Sequence, residues 1–202
     1  MKGKDKLPLT LLIVFIIFWL FIAIKPYDRF TWFIENILTF LFVPLLVITY
    51  KKFRFSNFTY ILLFLFMILH TLGSYYTYTN MPIFNWLQAL LELTRNHYDR
   101  VVHFLFGLIF YFPIYEIVTK KLKIQGWMSY LLPLLLIISF KTIYEILEYL
   151  AVIFTHNINF SDSFLGMQGD IWDAQKDIMV GIAGAIVSMI SSWLRKKYFF
   201  YK

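Results

Sequence analysis

GDIWDAQKDIMVGIAGAIVSMISSWLRKK, residues 169–197, runs from an acidic opening through a long apolar stretch into a basic close. Its apolar part, roughly 177–194, has the length needed to cross a bilayer core, about 17–25 mostly apolar residues. Asp170, Asp173, Lys176 and Asp177 stand at the mouth of that span, and Arg195, Lys196 and Lys197 close it. If the rest of the chain repeats this polarity, the fold is a bundle of membrane helices with one acidic and one basic end.

Composition agrees. Of 202 residues, 60% are hydrophobic and 15% charged, against about 25% charged in soluble domains. Cysteine is absent, which excludes disulfides, thiolate metal sites and cysteine nucleophiles. The net charge of +7 follows from basic loops and implies no nucleic acid. MKGKDK followed by PLTLLIVFIIFWLFIAI resembles a signal peptide in outline, but no small-residue cleavage site precedes KPYDRF. It is expected to remain as a first span.

Six spans are expected, at 8–24, 31–50, 58–74, 100–118, 128–154 and 177–194. The third is expected to break at Gly73, and the fifth is long enough to tilt. With no repeat or linker, residues 1–202 read as a single integral membrane domain, an all-α polytopic membrane helix bundle. Lys and Arg set the orientation. Lys2, Lys4 and Lys6 precede span one, and Lys51, Lys52 and Arg54 follow span two. Lys120, Lys121 and Lys123 follow span four, and Arg195 to Lys197 with Lys202 follow span six. With six spans all four clusters fall on one side, so both termini are expected in the cytoplasm. Trp127 and Trp193 suit interface anchors there, with Trp32 and Trp86 on the other side.

The remaining polar residues converge on the opposite layer. His70 lies near the outer end of span three. His97, Asp99, Arg100 and His103 open span four, and Glu35 and Asn36 lie early in span two. Glu145 lies about 25 Å along span five at 1.5 Å per residue, and Glu148 a turn further. Lys141, Glu145 and Glu148 share one helical stripe, as do Asp99, His103 and Gly107. Asp170, Asp173, Asp177, Gly181, Gly184, Ser188 and Ser191 form a third stripe, acidic and then small, which suits close helix packing. Charges facing lipid are costly, so these groups are expected to face the bundle interior.

Structural roles account for some of them. Asp170 and Asp173 suit helix capping. Lys141 with Glu145, and Lys176 with Asp173 or Asp177, suit ion pairs. His70 suits packing, and Glu116 an interfacial pair with Lys120. His156 carries no signal.

DRVVHFLFG (99–107), YEILEY (144–149), QGDIWDAQKDIMVGIAGA (168–185) and HTLGSYYTY (70–78) together resemble the YjdF family of bacterial inner-membrane proteins, over nearly the whole chain. More distantly the chain resembles VanZ-like membrane proteins. In their pattern an acid, a base and HF open a helix, a glutamate sits on the next, and an acid, a polar residue and glycines open the last. The corresponding positions are Asp99, Arg100, His103 and Phe104, then Glu145 or Glu148, then Asp173, Asp177, Gly181 and Gly184. Arg100 stands where lysine is usual, and Asp177 where asparagine is usual. The resemblance implies the helical fold, the bacterial inner membrane and the grouping of these residues, but no particular reaction.

Three classes of function fit. An enzyme could act on a lipid or cell-envelope precursor at the outer leaflet, with Glu145 or Glu148 as base and Asp99, Arg100, Lys141 and Lys176 around it. A divalent metal such as zinc would then be held by His103, Asp173, Asp177, Asp170 and His70, although no dense ligand motif such as HExxH is present. A transporter would hold an ion, proton or headgroup in the same pocket, although the chain lacks the internal repeats common in transporters. A structural or accessory protein would use the polar layer as a paired network.

Overall fold

The computed structural model describes residues 6–155 and 164–199; His156 and Asp162 fall outside them. Among the described residues there is no strand. The helices are α1 (Lys6–Ile22), α2 (Arg29–Thr49), α3 (Asn57–Tyr75), α4 (Pro82–Leu90), α5 (Tyr98–Glu116, extended by a π-helical turn Ile117–Lys121), α6 (Met128–Thr155) and α7 (Asp173–Phe199). Five, namely α2, α3, α5, α6 and α7, are long and apolar enough to cross a membrane. The apolar α1, at 17 residues, sits at the lower limit of a span.

Local chemistry sets several boundaries. The Asp28 carboxylate accepts the Thr31 N–H at 2.7 Å and starts α2. The Ser56 hydroxyl accepts the Thr59 N–H at 3.2 Å and starts α3. Pro82 occupies the first turn of α4, where its missing N–H costs nothing. Four details differ from the sequence expectations. Gly73 does not end α3, because membrane helices tolerate glycine and its bare Cα receives the Tyr78 ring, which an added Cβ would meet at 2.6 Å. The short α4 is additional. Trp32 is buried at 7% exposure, with its ring 5.5 Å from that of Trp19, so it packs α2 on α1 and is no interface anchor. Ser192, not Ser191, continues the buried stripe of α7, because a true helical period drifts off fixed steps.

The closest packing joins α5 to α7. An added Cβ on Gly107 would run into the Gly181 carbonyl, and one on Gly184 into the Phe104 carbonyl. The Ser188 hydroxyl donates to the Leu108 carbonyl at 2.5 Å across the same seam. Small residues thus bring two backbones into contact, as in small-xxx-small packing. α6 packs on both of these helices, and α3 connects α5 to α1 and α2.

The bundle has two chemically distinct ends. At the basic end, Ser56 meets Glu116, Arg195 lies 5.8 Å from the centre of the Phe58 ring, and the start of α1 lies beside Tyr50 and Lys51. The basic segments around Lys6, Lys51, Lys120 and Arg195 therefore share one end. The acidic residues gather at the other.

Candidate functional site

The acidic end is assembled from the starts of α5 and α7, the far end of α6 and the loop before α5. Asp173 and Asp177 are one turn apart on α7, and both are buried. Arg95, in the loop before α5, donates to Asp173 Oδ1 and, at 3.0 Å, to the Gly166 carbonyl. Arg100 donates to Asp173 Oδ1 at 3.1 Å and to Asp170 Oδ2 at 2.5 Å. Lys176 donates to the same Asp170 oxygen at 2.7 Å. Hydrogen bonds from Lys176 and then Arg100 hold the Asp170 carboxyl well below the usual carboxylate range. Lys176 and Asp170 thus form the rim of the site, and Asp173 and Asp177 lie beneath it.

A second group lies deeper. His103 Nε2 is 3.2 Å from Asp99 Oδ1, and Lys141 Nζ is 2.6 Å from His103 Nδ1. The ammonium has only protons to offer, so Nδ1 accepts and Nε2–H donates to Asp99. Lys141 also donates to Glu145 Oε1 at 2.8 Å. Glu145 in turn lies 3.5 Å from His103 Nδ1. Lys141 is buried and Glu145 partly so, with side-chain exposures of 3% and 10%. Glu148 is close enough to Glu145, Glu35 and Asp99 for their negative charges to repel. Glu35 is buried and hydrogen-bonded to Tyr144, and its Oε2 has no hydrogen-bond partner.

Among the described residues, two carboxylate oxygens are buried without a hydrogen-bond partner at the centre, Asp173 Oδ2 and Asp177 Oδ1. The nearest basic nitrogens to Asp177 Oδ1 are Arg100 Nε at 3.8 Å and His103 Nδ1 at 3.9 Å, beyond hydrogen-bond reach. Asp99, Asp173 and Asp177 each offer one oxygen, and these three lie within 4.8 Å of one another. Gly166, at φ +64°, turns its bare Cα towards the trio. An added Cβ there would lie 3.3 Å from Asp99 Oδ2 and 4.0 Å from Asp173 Oδ2. The glycine thus admits a backbone turn that other residues resist and leaves space over the carboxylates. Gln168 holds this loop in place, accepting from Asn96 N–H at 2.8 Å and donating to the Asn96 carbonyl at 3.0 Å.

Of the residues expected from the sequence, Asp99, Arg100, His103, Lys141, Glu145, Asp170, Asp173, Lys176 and Asp177 meet in this network, with Glu148 beside it. His70 lies apart, between α2 and α3. Its Nδ1 is 2.5 Å from the Tyr78 hydroxyl and its Nε2 is 3.2 Å from the Glu35 carbonyl oxygen, so both nitrogens are engaged. His97 lies half-buried at the edge. Burial first, then Arg100 and Arg95 beside it, push its imidazole below its ordinary value. Arg95, Gly166 and Gln168 were not foreseen. They lie in loops, where no helical period marks a face, and their partners are remote in sequence.

A family described as "Predicted membrane protein (DUF2238)" matches residues 7–198. "Inner membrane protein YjdF" of Escherichia coli (strain K12) is 31% identical over 189 residues, covering 93% of this chain and 87% of that protein. No solved structure matches the chain.

Proposed function

We propose, for a chain that belongs to the DUF2238 family of predicted membrane proteins, a cation-dependent role in the chemistry of a lipid or cell-envelope precursor. In this proposal residues 1–202 form one multi-pass domain of the bacterial inner membrane, with the basic end and both termini in the cytoplasm. The acidic end then faces the outer leaflet. Asp99, Asp173 and Asp177 bind one hard divalent cation there, and the cation draws in an anionic headgroup.

The observation that carries this is the pair of buried carboxylate oxygens without partners, Asp173 Oδ2 and Asp177 Oδ1, converging with Asp99. Leaving such oxygens unsatisfied costs about 1–3 kcal/mol each, and more when charged. A cation removes that cost. The donors are all oxygen and both His103 nitrogens are engaged, so magnesium, calcium or manganese suits the set better than zinc. Magnesium held by a few carboxylates leaves positions for substrate phosphate oxygens. In this reading Glu145, hydrogen-bonded by Lys141, accepts the proton, and Arg100 and Lys176 at the rim receive negative charge.

The test is metal analysis and manganese titration of detergent-purified wild type beside Asp177→Asn and Asp173→Asn, with melting recorded on each. About one divalent ion per chain, lost in a folded Asp177→Asn protein, is expected. Wild type that neither retains a divalent ion nor melts higher in its presence would overturn the cation site. A second reading, ion passage, draws on the unpartnered Glu35 Oε2 deeper in the bundle. Proton or cation flux into proteoliposomes that Glu35→Gln abolishes would favour it.

A further inference from the structure

At the basic end, α1 and α2 separate. Near the acidic end they are joined: Trp19 Nε1 donates to Asn36 Oδ1 at 2.7 Å, and the Trp19 ring lies 5.4 Å from that of Phe40. Towards the basic end a cleft of about 450 Å³ opens between the two helices, with α3 as its floor. Leu12 and Phe15 form one wall, Leu46 and Val47 the other, and Leu63 and Met67 the base. Polar groups enter at the mouth, where Tyr50 and Lys51 stand.

The size of the cleft selects its occupant. A helix about 10–12 Å across fills roughly 500 Å³ in a single 5.4 Å turn, so the cleft would seat no more than about one turn of a partner helix. The volume lies within the ~300–1,000 Å³ range of small-molecule clefts, and an apolar tail suits the apolar walls. Charge at the mouth selects the head. Lys51 and Lys52 are exposed, and neither side chain has a hydrogen-bond or ion-pair partner among the described residues. Lys6 is exposed at the same end. Glu116, a carboxylate at this end, is fully engaged by Ser56, Thr59 and Lys120.

We propose that this cleft is a binding site for one anionic glycerophospholipid, an acyl chain lying between α1 and α2 and the phosphate meeting Lys51 and Lys52. It lies in the leaflet of the basic end and does not depend on the acidic site.

Delipidated protein in detergent, titrated with phosphatidylglycerol or phosphatidylcholine and read by native mass spectrometry, tests this. One phosphatidylglycerol should be retained per chain, in preference to phosphatidylcholine. A basic residue near an anionic headgroup contributes about fivefold in affinity, so Lys51→Gln should weaken retention by about that factor. Leu46→Trp, which fills the cleft from a wall facing lipid, should abolish retention while the protein melts within a few degrees of wild type. Equal retention of the two lipids would overturn the proposal, as would unchanged phosphatidylglycerol binding in a folded Leu46→Trp protein. A dimer competing with lipid would overturn it too, by making the cleft a protein interface.

Discussion

Glu116 and Asp177 are both carboxylates at helix–helix junctions of the same bundle, and they are treated in opposite ways. Glu116 accepts the Ser56 N–H at 3.0 Å, the Ser56 hydroxyl at 2.5 Å, the Thr59 hydroxyl at 2.5 Å and the Lys120 ammonium at 2.7 Å. It closes the start of α3 onto the end of α5 and leaves no room for a ligand. Asp177, at the other end, is buried with an oxygen that no donor reaches. A bundle able to satisfy one carboxylate four times over has not been short of donors. The contrast teaches that burial of charge alone does not mark a site; a buried charge left without its donors is the one that calls for a further partner.

The most severe way to break the comparison is through α5, which carries Glu116 near one end and Asp99 near the other. Gly107→Leu would force α5 from the α7 backbone and should cost about 3 kcal/mol or more, seen as loss of folded protein on size-exclusion chromatography in detergent. Next is the closed end alone. Glu116→Ala strands the Ser56 N–H and the Ser56 and Thr59 hydroxyls and should cost about 1–3 kcal/mol, read as a lower melting temperature with divalent-ion binding intact. The open end should respond inversely. Asp177→Asn removes a buried charge whose Oδ1 accepts no hydrogen bond among the described residues, so stability without metal should stay within about 1 kcal/mol of wild type or rise. Manganese affinity should fall about 100-fold, as isothermal titration would show. Equal destabilisation by Glu116→Ala and Asp177→Asn would erase the distinction.

The smallest effects are at the rim. The folded state holds the His97 imidazole below its ordinary value of about 6.5, so the unfolded chain binds the proton more readily. Stability is therefore lost as pH falls through that value. His97→Gln should flatten the melting-temperature profile between about pH 7 and 5, by only about 1–2 °C because solvent screens the site. For Asp170 the folded carboxyl is held low by Lys176 and Arg100, so its contribution is present above about pH 4 and lost only in stronger acid. Asp170→Asn should remove that acid-side loss.

The bundle was largely legible because membrane helices announce themselves by length and apolarity, and among the described residues Lys6, Lys51, Lys120 and Arg195 fall at one end. The stripe on α7 was legible for the same reason. A period of 3.6 residues places Asp173, Asp177, Gly181 and Gly184 on one face before any partner is known. Arg95 was not, because it lies in a loop and meets Asp173 across 78 residues. Nor was the loop of Gly166 and Gln168, whose role depends on a positive φ and on Asn96. His70 sat at the expected depth but on a face turned to Tyr78, and depth alone does not fix a face.

The contact between Gly107 and Gly181 bears on how such a molecule can move. Two helices that meet backbone to backbone cannot slide without driving one carbonyl through another, so α5 and α7 behave as one fixed jaw, and the three clustered carboxylates all belong to it. α6 meets that jaw at Gly181 through the flexible stem of Lys141, and it carries Lys141, Glu145 and Glu148. If α6 shifts within this bundle, Asp99, Asp173 and Asp177 keep their mutual geometry, while the distances from them to Lys141, Glu145 and Glu148 change.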